Sequence, residues 1–470
     1  MPHELVRFLC YHDPLCGDCV LLRKILMLGL LLLFMVPWGA AQNVAAQNVA
    51  AQNNAAKITL LKAGRLLDVR AGKYLVDQGV LIEGERIQEV GPFAQVRAHA
   101  PKDAVVIDLG GAAVLPGLID CHAHLLDAMG LEDEALLQAV AGMSVSRRAL
   151  LGARMAREEL EGGFTTVRVL GHSGIDGDAA LRDAVNEGWV MGPRILASCR
   201  KLAPPGGQLM TLNPAVAKEI LEQEFLIVGS ADEARAAVRQ NRAYGADGIK
   251  VVADPEGRFL TLGEMKAIVE EAHRSGMKVA VHANTVVGIQ AAIDARVDSI
   301  EHGDDVTDEQ LKAMREAGIF LDITPFSGGR LRGWLRKNTP LSRRSRFQWE
   351  KNDQQSGAAR LRRVLQSGVK YAAGSDMWFE YPGKTRGEAT ATMYGALLSL
   401  GMEPVDIVRA GTMRAAELIG WQDRVGVIEA GKFADIVATS GDPLRDIGDL
   451  EQIGFVMKGG VVVRNSGVGK

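Results

Sequence analysis

Leu115-Pro116-Gly117-Leu118-Ile119-Asp120-Cys121-His122-Ala123-His124 is an apolar run that ends in two imidazoles one residue apart. Side chains two positions apart on a strand point to the same face. The run therefore presents His122 and His124 together at a strand's carboxyl end. Imidazole is a common ligand for zinc and similar borderline metals. Two neighbouring rings need a metal or a shared proton, unless they are plain surface or core histidines. The rest of the chain decides between these readings.

After His124, apolar strands alternate with long helical patterns, the grammar of parallel βα units. Eight strand candidates occupy residues 113–120, 164–170, 194–198, 248–252, 278–282, 299–302, 320–324 and 369–374, with helices such as 262–275 and 308–317 between them. Eight repeats in about 300 residues is the stoichiometry of a closed (β/α)8 TIM barrel. An open doubly wound sheet usually has fewer strands and a G-x-G-x-x-G turn, which does not follow the first strand here. Short alternating segments at 58–62, 74–82, 86–90 and 105–108 read as antiparallel β. The same grammar returns past a helix at 404–419, in 434–439, 454–458 and 461–464. The expected fold is thus α/β: a barrel over residues 113–419, and a small β-sandwich domain built from residues 57–112 and 420–470.

Composition fits a globular enzyme or binder, with 47% hydrophobic and 24% charged residues in a chain of 470. A net charge of -3 and only 5% aromatic residues give no reason to expect nucleic acid or an anionic membrane surface as partner. Arg23 and Lys24 precede an apolar run at 25–36, and Gly39-Ala40-Ala41 follows, which predicts a secretory signal over residues 1–41. The run is short for a membrane span of about 20 residues, and an uncleaved anchor is the alternative. Met27 inside the run offers a second start. Three near-copies of an Ala-Ala-Gln-Asn unit make residues 42–56 a low-complexity linker. Cys16 and Cys19 would leave with the signal, so that the mature chain keeps Cys121 and Cys199. A periplasmic or secreted enzyme without a disulfide framework is the expectation.

Active sites of such barrels gather at the carboxyl ends of the strands. Those ends carry His122 and His124, then Lys250, His282, His302 and Asp376. Each has an innocent reading alone: Lys250 as a snorkelling lysine, Asp376 as a helix cap. Six such groups at the correct ends of five strands point instead to one site. Residues 326–355 are irregular and basic, including Arg330, Arg332, Arg336, Lys337, Arg343, Arg344 and Arg346. They read as a lid whose cations meet a substrate carboxylate, or as a solvated face.

Pro116 to His124, Ile300-Glu301-His302-Gly303, Gly374-Ser375-Asp376 and Gly431-Lys432-Phe433-Ala434-Asp435-Ile436 resemble motifs of the amidohydrolase superfamily. The likeness is to its imidazolonepropionase-like branch with the Xaa-Pro dipeptidases (prolidases), and runs from Ile58 nearly to the end. The resemblance implies two divalent metal ions. His122, His124 and Asp376 would hold one, His282 and His302 the other, with Lys250 N6-carboxylated between them. Zinc is the default ion by ligand type, with manganese or cobalt as alternatives. A metal-bridging hydroxide would be the nucleophile, with Asp376 as the catalytic proton carrier. The implied activity is hydrolysis of an amide bond in Xaa-Pro or other dipeptides or N-acyl amino acids, by a homo-oligomer acting on small molecules. A cyclic amide or imidazolone hydrolase, a deaminase with a single metal, and a non-catalytic binding relative are the alternatives. Two places depart from the family pattern: strand two ends Arg168-Val169-Leu170-Gly171, where an Asp often follows the Arg, and the loop Pro205-Gly206-Gly207-Gln208 carries glutamine where many relatives have histidine. Arg168, His172 and Gln208 lie at the barrel mouth, the first two as candidate carboxylate binders or structural hydrogen-bonding groups.

Overall fold

Gly117 is where the chain leaves one sheet for another. In the computed structural model, residues 58–128, 135–209, 211–325, 348–381 and 383–468 are described. The signal, the linker, the Cys16–Cys19 pair and the arginines of the basic stretch lie outside the described residues. The first segment forms β1 (Ile58–Asp68), β2 (Lys73–Glu83) and β3 (Arg86–Pro92), an antiparallel meander. A short helix, Phe93–His99, then carries the chain back to β4 (Val105–Pro116). Because of that return, β4 runs parallel to β1, with Thr59 opposite Val105. The sequence pattern alone suggested only antiparallel pairing here.

The strand read from residues 113–120 is two strands. Residues up to Pro116 stay in β4, and β5 (Leu118–Ala123) begins the barrel. Gly117 donates its N–H to Asp435 O at 2.8 Å, while Leu118 donates to Gly163 O at 3.0 Å. A Cβ on Gly117 would lie 2.1 Å from Thr165 Oγ1, so the crossover has room only for glycine. Beside β5 stand β6 (Phe164–Val169) and β7 (Arg194–Leu196). The third barrel strand is also broken. Ser198 and Cys199 turn their N–H groups onto Asp178 Oδ2, at 2.9 and 3.0 Å, and pull the chain out of register. It resumes as β8 (Lys201–Ala203), flanked by the extra strand β9 (Phe225–Ile227).

The remaining strands, β10 (Gly248–Val252), β11 (Lys278–Ala283), β12 (Ser299–His302), β13 (Phe320–Ile323) and β14 (Tyr371–Ala373), pair in parallel. Closure comes from Asp376 N–H, which donates to His122 O at 2.8 Å, and from a bridge between Ala123 and Met377. The outer helices start where the sequence provides capping boxes, Thr261 with Glu264 and Thr307 with Gln310. Helix Leu262–Arg274 turns Met265, Ile268, Val269 and Ala272 inward, the spacing of a single buried stripe. The helix expected over 404–419 is two, Pro404–Ala410 and Met413–Ile419. The break falls at Gly411, whose carbonyl accepts from Ile119 N–H at 2.8 Å and whose α-carbon abuts the Tyr394 ring.

Past the barrel, β15 (Ile436–Thr439), β16 (Phe455–Lys458) and β17 (Val461–Asn465) return to the first sheet, with β15 antiparallel to β4. The resulting order is β17-β16-β15-β4-β1-β2-β3. Ile87 N–H donates to Lys432 O and Ala434 N–H to Glu85 O, which folds the far edge over. The sheet thereby encloses Leu61, Val80, Ile82, Ile436, Phe455 and Met457 as a small β-sandwich from both ends of the described chain. No described helix is long and apolar enough to cross a membrane. Gly117→Val would force Thr165 and the crossover apart. A loss of about 1–3 kcal/mol is expected, measured as a lower urea midpoint at unchanged slope.

Candidate metal centre

Strand alternation places His122 and His124 on one face at the end of β5, and the barrel brings the other candidates to them. His122 lies 5.2 Å from His124 and 5.1 Å from His302 between ring centroids, and His302 lies 4.7 Å from His282. Asp376 Oδ1 sits 3.1 Å from His124 Nε2 and 3.5 Å from His122 Nε2, while its Oδ2 is 3.9 Å from His302 Nδ1. Ligand atoms of His122, His124 and Asp376 all fall within 4.8 Å of one another. Lys250 is 3% exposed, and its Nζ has no hydrogen-bond partner among the described residues.

Two of the rings are held from behind. His124 Nδ1 is 3.1 Å from Gly171 O, and a carbonyl partner requires the proton on Nδ1, which leaves the Nε2 lone pair facing Asp376. His302 Nδ1 is 2.6 Å from Thr324 Oγ1, and His122 Nδ1 is 3.1 Å from Glu301 Oε2. The last contact is too poorly aligned for a hydrogen bond, and His122 Nδ1 counts as unsatisfied. Asp120 joins the two loops that carry the candidates: its Oδ1 accepts from His122 N–H at 3.0 Å and Ser375 N–H at 2.8 Å, and its Oδ2 accepts from Ser375 Oγ at 2.6 Å. His302 and Asp376 both adopt left-handed backbone, with φ of 68° and 47°. Such conformations persist in non-glycine residues only where the surroundings impose them.

Burial favours the neutral form of His122, His282 and His302, which is the form that binds a metal. It drives His122 and His302 well below their ordinary range and His282 down to about 3, and the nearby Lys250 charge adds to each. Burial also lowers the Lys250 amine to about 8, against the pull of Glu301 and Asp376. His122, Glu301 and Asp322 form a second cluster of ligand-type groups. That cluster is already occupied by a cation. Arg168 donates from Nη2 to both Glu301 oxygens, at 3.0 and 2.9 Å, and to Asp322 Oδ2 at 3.2 Å. Its Nε donates to Cys121 O at 2.6 Å and its Nη1 to Ser299 Oγ at 3.0 Å. Burial works to raise Glu301, but Arg168 and Lys250 overcome it and hold the carboxyl low. Burial and the Glu301 charge push Asp322 up, so that this pair retains a proton.

The alternatives left by the sequence resolve unevenly. Arg168 is a structural hydrogen-bonding group beneath the imidazoles rather than a carboxylate binder. His172 is half-buried, 4.4 Å from the His124 ring, with Nδ1 3.5 Å from Asp127 Oδ2. Gln208 accepts from Lys201 Nζ at 3.0 Å. Lys201, Glu301, Asp322 and Asp120 went unnoticed in the sequence as site residues. Glu301 stood inside a quoted motif, whereas Lys201 lies beyond the break in strand three, where no periodicity marks it.

Residues 113–463 match the Amidohydrolase family, three quarters of the chain, and residues 79–102 match the bacterial imidazolonepropionase-like composite domain. The chain belongs to the amidohydrolase family. This amidohydrolase is 28% identical over 455 residues to ochratoxinase of Aspergillus niger, covering 88% of each chain. It is 26% identical over 440 residues to imidazolonepropionase of Shouchella clausii, covering 84% of this chain and 87% of that one. Among solved structures it resembles a Xaa-Pro dipeptidase with bound methionine in the active site, with a TM-score of 0.74 and 30% identity. That match covers 87% of this chain and all of the other. The chain is therefore a hydrolase acting on carbon–nitrogen bonds of small molecules. Replacing Arg168 with Met in this amidohydrolase would leave Glu301 buried without its cation. A loss of about 3–5 kcal/mol in unfolding free energy is expected, measured by denaturant melts of the metal-free protein.

Proposed function

We propose that this amidohydrolase cleaves the amide bond of dipeptides or N-acyl amino acids, Xaa-Pro dipeptides foremost, with two divalent ions. His122, His124 and Asp376 would hold one ion, His282 and His302 the other, and Lys250 would stand between them. The orphaned Lys250 amine carries this reading. A buried lysine with no partner, lowered to about 8, is unprotonated in roughly a tenth of molecules at pH 7, far more than an ordinary lysine, and that fraction is a nucleophile. Its lone pair can attack CO2: an N–C bond forms, a proton leaves, and the amine becomes a carbamate with anionic oxygen donors. Four neutral imidazoles and two anionic groups then suit two divalent cations, zinc by ligand type, with manganese or cobalt as alternatives.

Bound ions supply Lewis-acid polarisation of the scissile carbonyl and lower the pKa of water. The chain's own part is positioning and proton transfer. Asp376, 3.1 Å from His124 Nε2 and fixed by its backbone bond to His122 O, is placed to take a proton from the attacking water. The same carboxyl would return it to the departing nitrogen. A dipeptide substrate is supported by the relative of this fold named as a Xaa-Pro dipeptidase, which holds methionine, a free amino acid, in its active site. The kinship with imidazolonepropionase keeps one second reading, hydrolysis of a cyclic amide or deamination with a single ion. The apolar leader over residues 1–41 supports a periplasmic or secreted enzyme.

Metal-depleted protein given zinc or manganese with bicarbonate is expected to bind about two ions per chain and to hydrolyse members of a dipeptide panel. One ion per chain, with turnover of cyclic amides alone, would turn the assignment to the second reading. Asp376→Asn is expected to lower kcat at least about 100-fold. Because Lys250 must be unprotonated to accept CO2, incorporation of isotopic label at a fixed concentration of dissolved CO2 should speed up as pH rises toward about 8 and level off above it. Lys250→Met should abolish the carbamate resonance in NMR spectra.

A further inference from the structure

Lys201 on β8 is a second buried amine beside the candidate metal centre, 1% exposed, and the chemistry proposed above does not use it. Its stem packs on Gly171, where a Cβ would lie 2.5 Å from Lys201 Cγ. The Gly171 carbonyl is the one that orients His124. The ammonium is thus fixed to the backbone that supports the site. Its charge bears on Lys250, His172 and His282, and Asp376 in turn stabilises it, so that it belongs to the same pocket.

What the ammonium lacks is an anion in contact. Its hydrogen-bond acceptor is a neutral one, Gln208 Oε1 at 3.0 Å, and its other neighbour is the Phe225 ring, 4.8 Å from Nζ to centroid. Among the described residues no carboxylate makes a salt bridge with it. Two acids whose charge bears on it are engaged elsewhere: Arg148 holds Glu224 through Nη1 and Asp127 through Nη2. A buried cation without a contacting counter-ion is costly; burial accordingly lowers the Lys201 amine to about 7, against the pull of Glu224, Asp127 and Asp376, and a carboxylate in contact would favour its charged form. Gln208 stands half-buried at the end of the turn Gly206-Gly207, whose φ angles are 95° and 59°. Its amide oxygen occupies a position on Nζ that a carboxylate oxygen can take, and its amide N–H suits the second oxygen.

We propose that Lys201, with Gln208 beside it, receives the carboxylate of the substrate and restricts this amidohydrolase to amides that carry one. The proposal rests on the amide-hydrolase reading above and adds the group by which substrates are chosen. Scissile bond and anion would then be held from opposite sides of the pocket, the bond by the metal centre and the anion by strand three.

The test uses the zinc-loaded enzyme, the dipeptide it cleaves fastest, and the C-terminal carboxamide of that dipeptide. Wild type is expected to prefer the acid by about 100-fold in kcat/KM. Lys201→Met should lose about 100-fold on the acid, mostly through KM, and stay within about twofold of wild type on the carboxamide. Gln208→Leu, a milder change, should lose about tenfold on the acid alone. Equal losses on acid and carboxamide, or none on either, would overturn the proposal. Calorimetric titration with L-proline gives a readout independent of turnover, with binding expected to wild type and lost in Lys201→Met. If wild type hydrolyses neither compound, the amide-hydrolase reading fails, and the L-proline titration alone decides the anion site.

Discussion

A backbone hydrogen bond from Asp376 N–H to the carbonyl of His122, with the bridge between Ala123 and Met377 beside it, joins the last barrel strand to the first. Much else depends on it. It closes the ring of parallel strands, and it delivers the carboxylate of Asp376 to the imidazoles of His122 and His124. Asp120 reinforces the seam by accepting from both sides of it. At this junction Asp376 adopts left-handed backbone, which a non-glycine residue keeps only where its surroundings impose it. Closure and site assembly are consequently one event in this molecule.

Beneath the rings, electrostatics and packing are layered. Arg168 neutralises Glu301, Asp322 retains a proton, and Glu301 lies against His122. The lowest polar layer of the barrel is in this way close to charge-balanced within itself. The layer above is not balanced: four imidazoles and two amines lowered by burial gather about one carboxylate, Asp376. On the proposed reading, that asymmetry suits a pair of cations at one end of the layer and an anion at the other. A core network able to serve itself supports a pocket that is not.

Much of this was legible in the sequence, for reasons that can be named. The period-two placement of His122 and His124, the amphipathic stripe of helix 262–274 and the Thr-x-x-Glu box at its start are local signals, and local signals survive folding. Residues at strand ends could be listed because a parallel barrel gathers all such ends on one face. Two kinds of feature stayed hidden. The breaks at Gly117 and after Leu196 come from hydrogen bonds to partners remote in the chain, Asp435 and Asp178, which no local pattern announces. The supporting charges were hidden too, because a buried Lys201 and an exposed lysine look alike until their surroundings are known. Arg168 showed the same ambiguity in reverse: its place at a strand end was plain, and only its three-dimensional partners reveal a prop rather than a receptor.

The pairing of β4 with β15 has a bearing on how the protein is made. Pro116 and Ile436 sit opposite one another although about 320 residues separate them. During synthesis β4 therefore leaves the ribosome with one edge open, and its partner arrives only after every barrel strand has been translated. Apolar strand edges left waiting invite association with other chains. The amino-terminal strands need shelter, from a chaperone or from transient cover by their own neighbours, for nearly the whole time of translation.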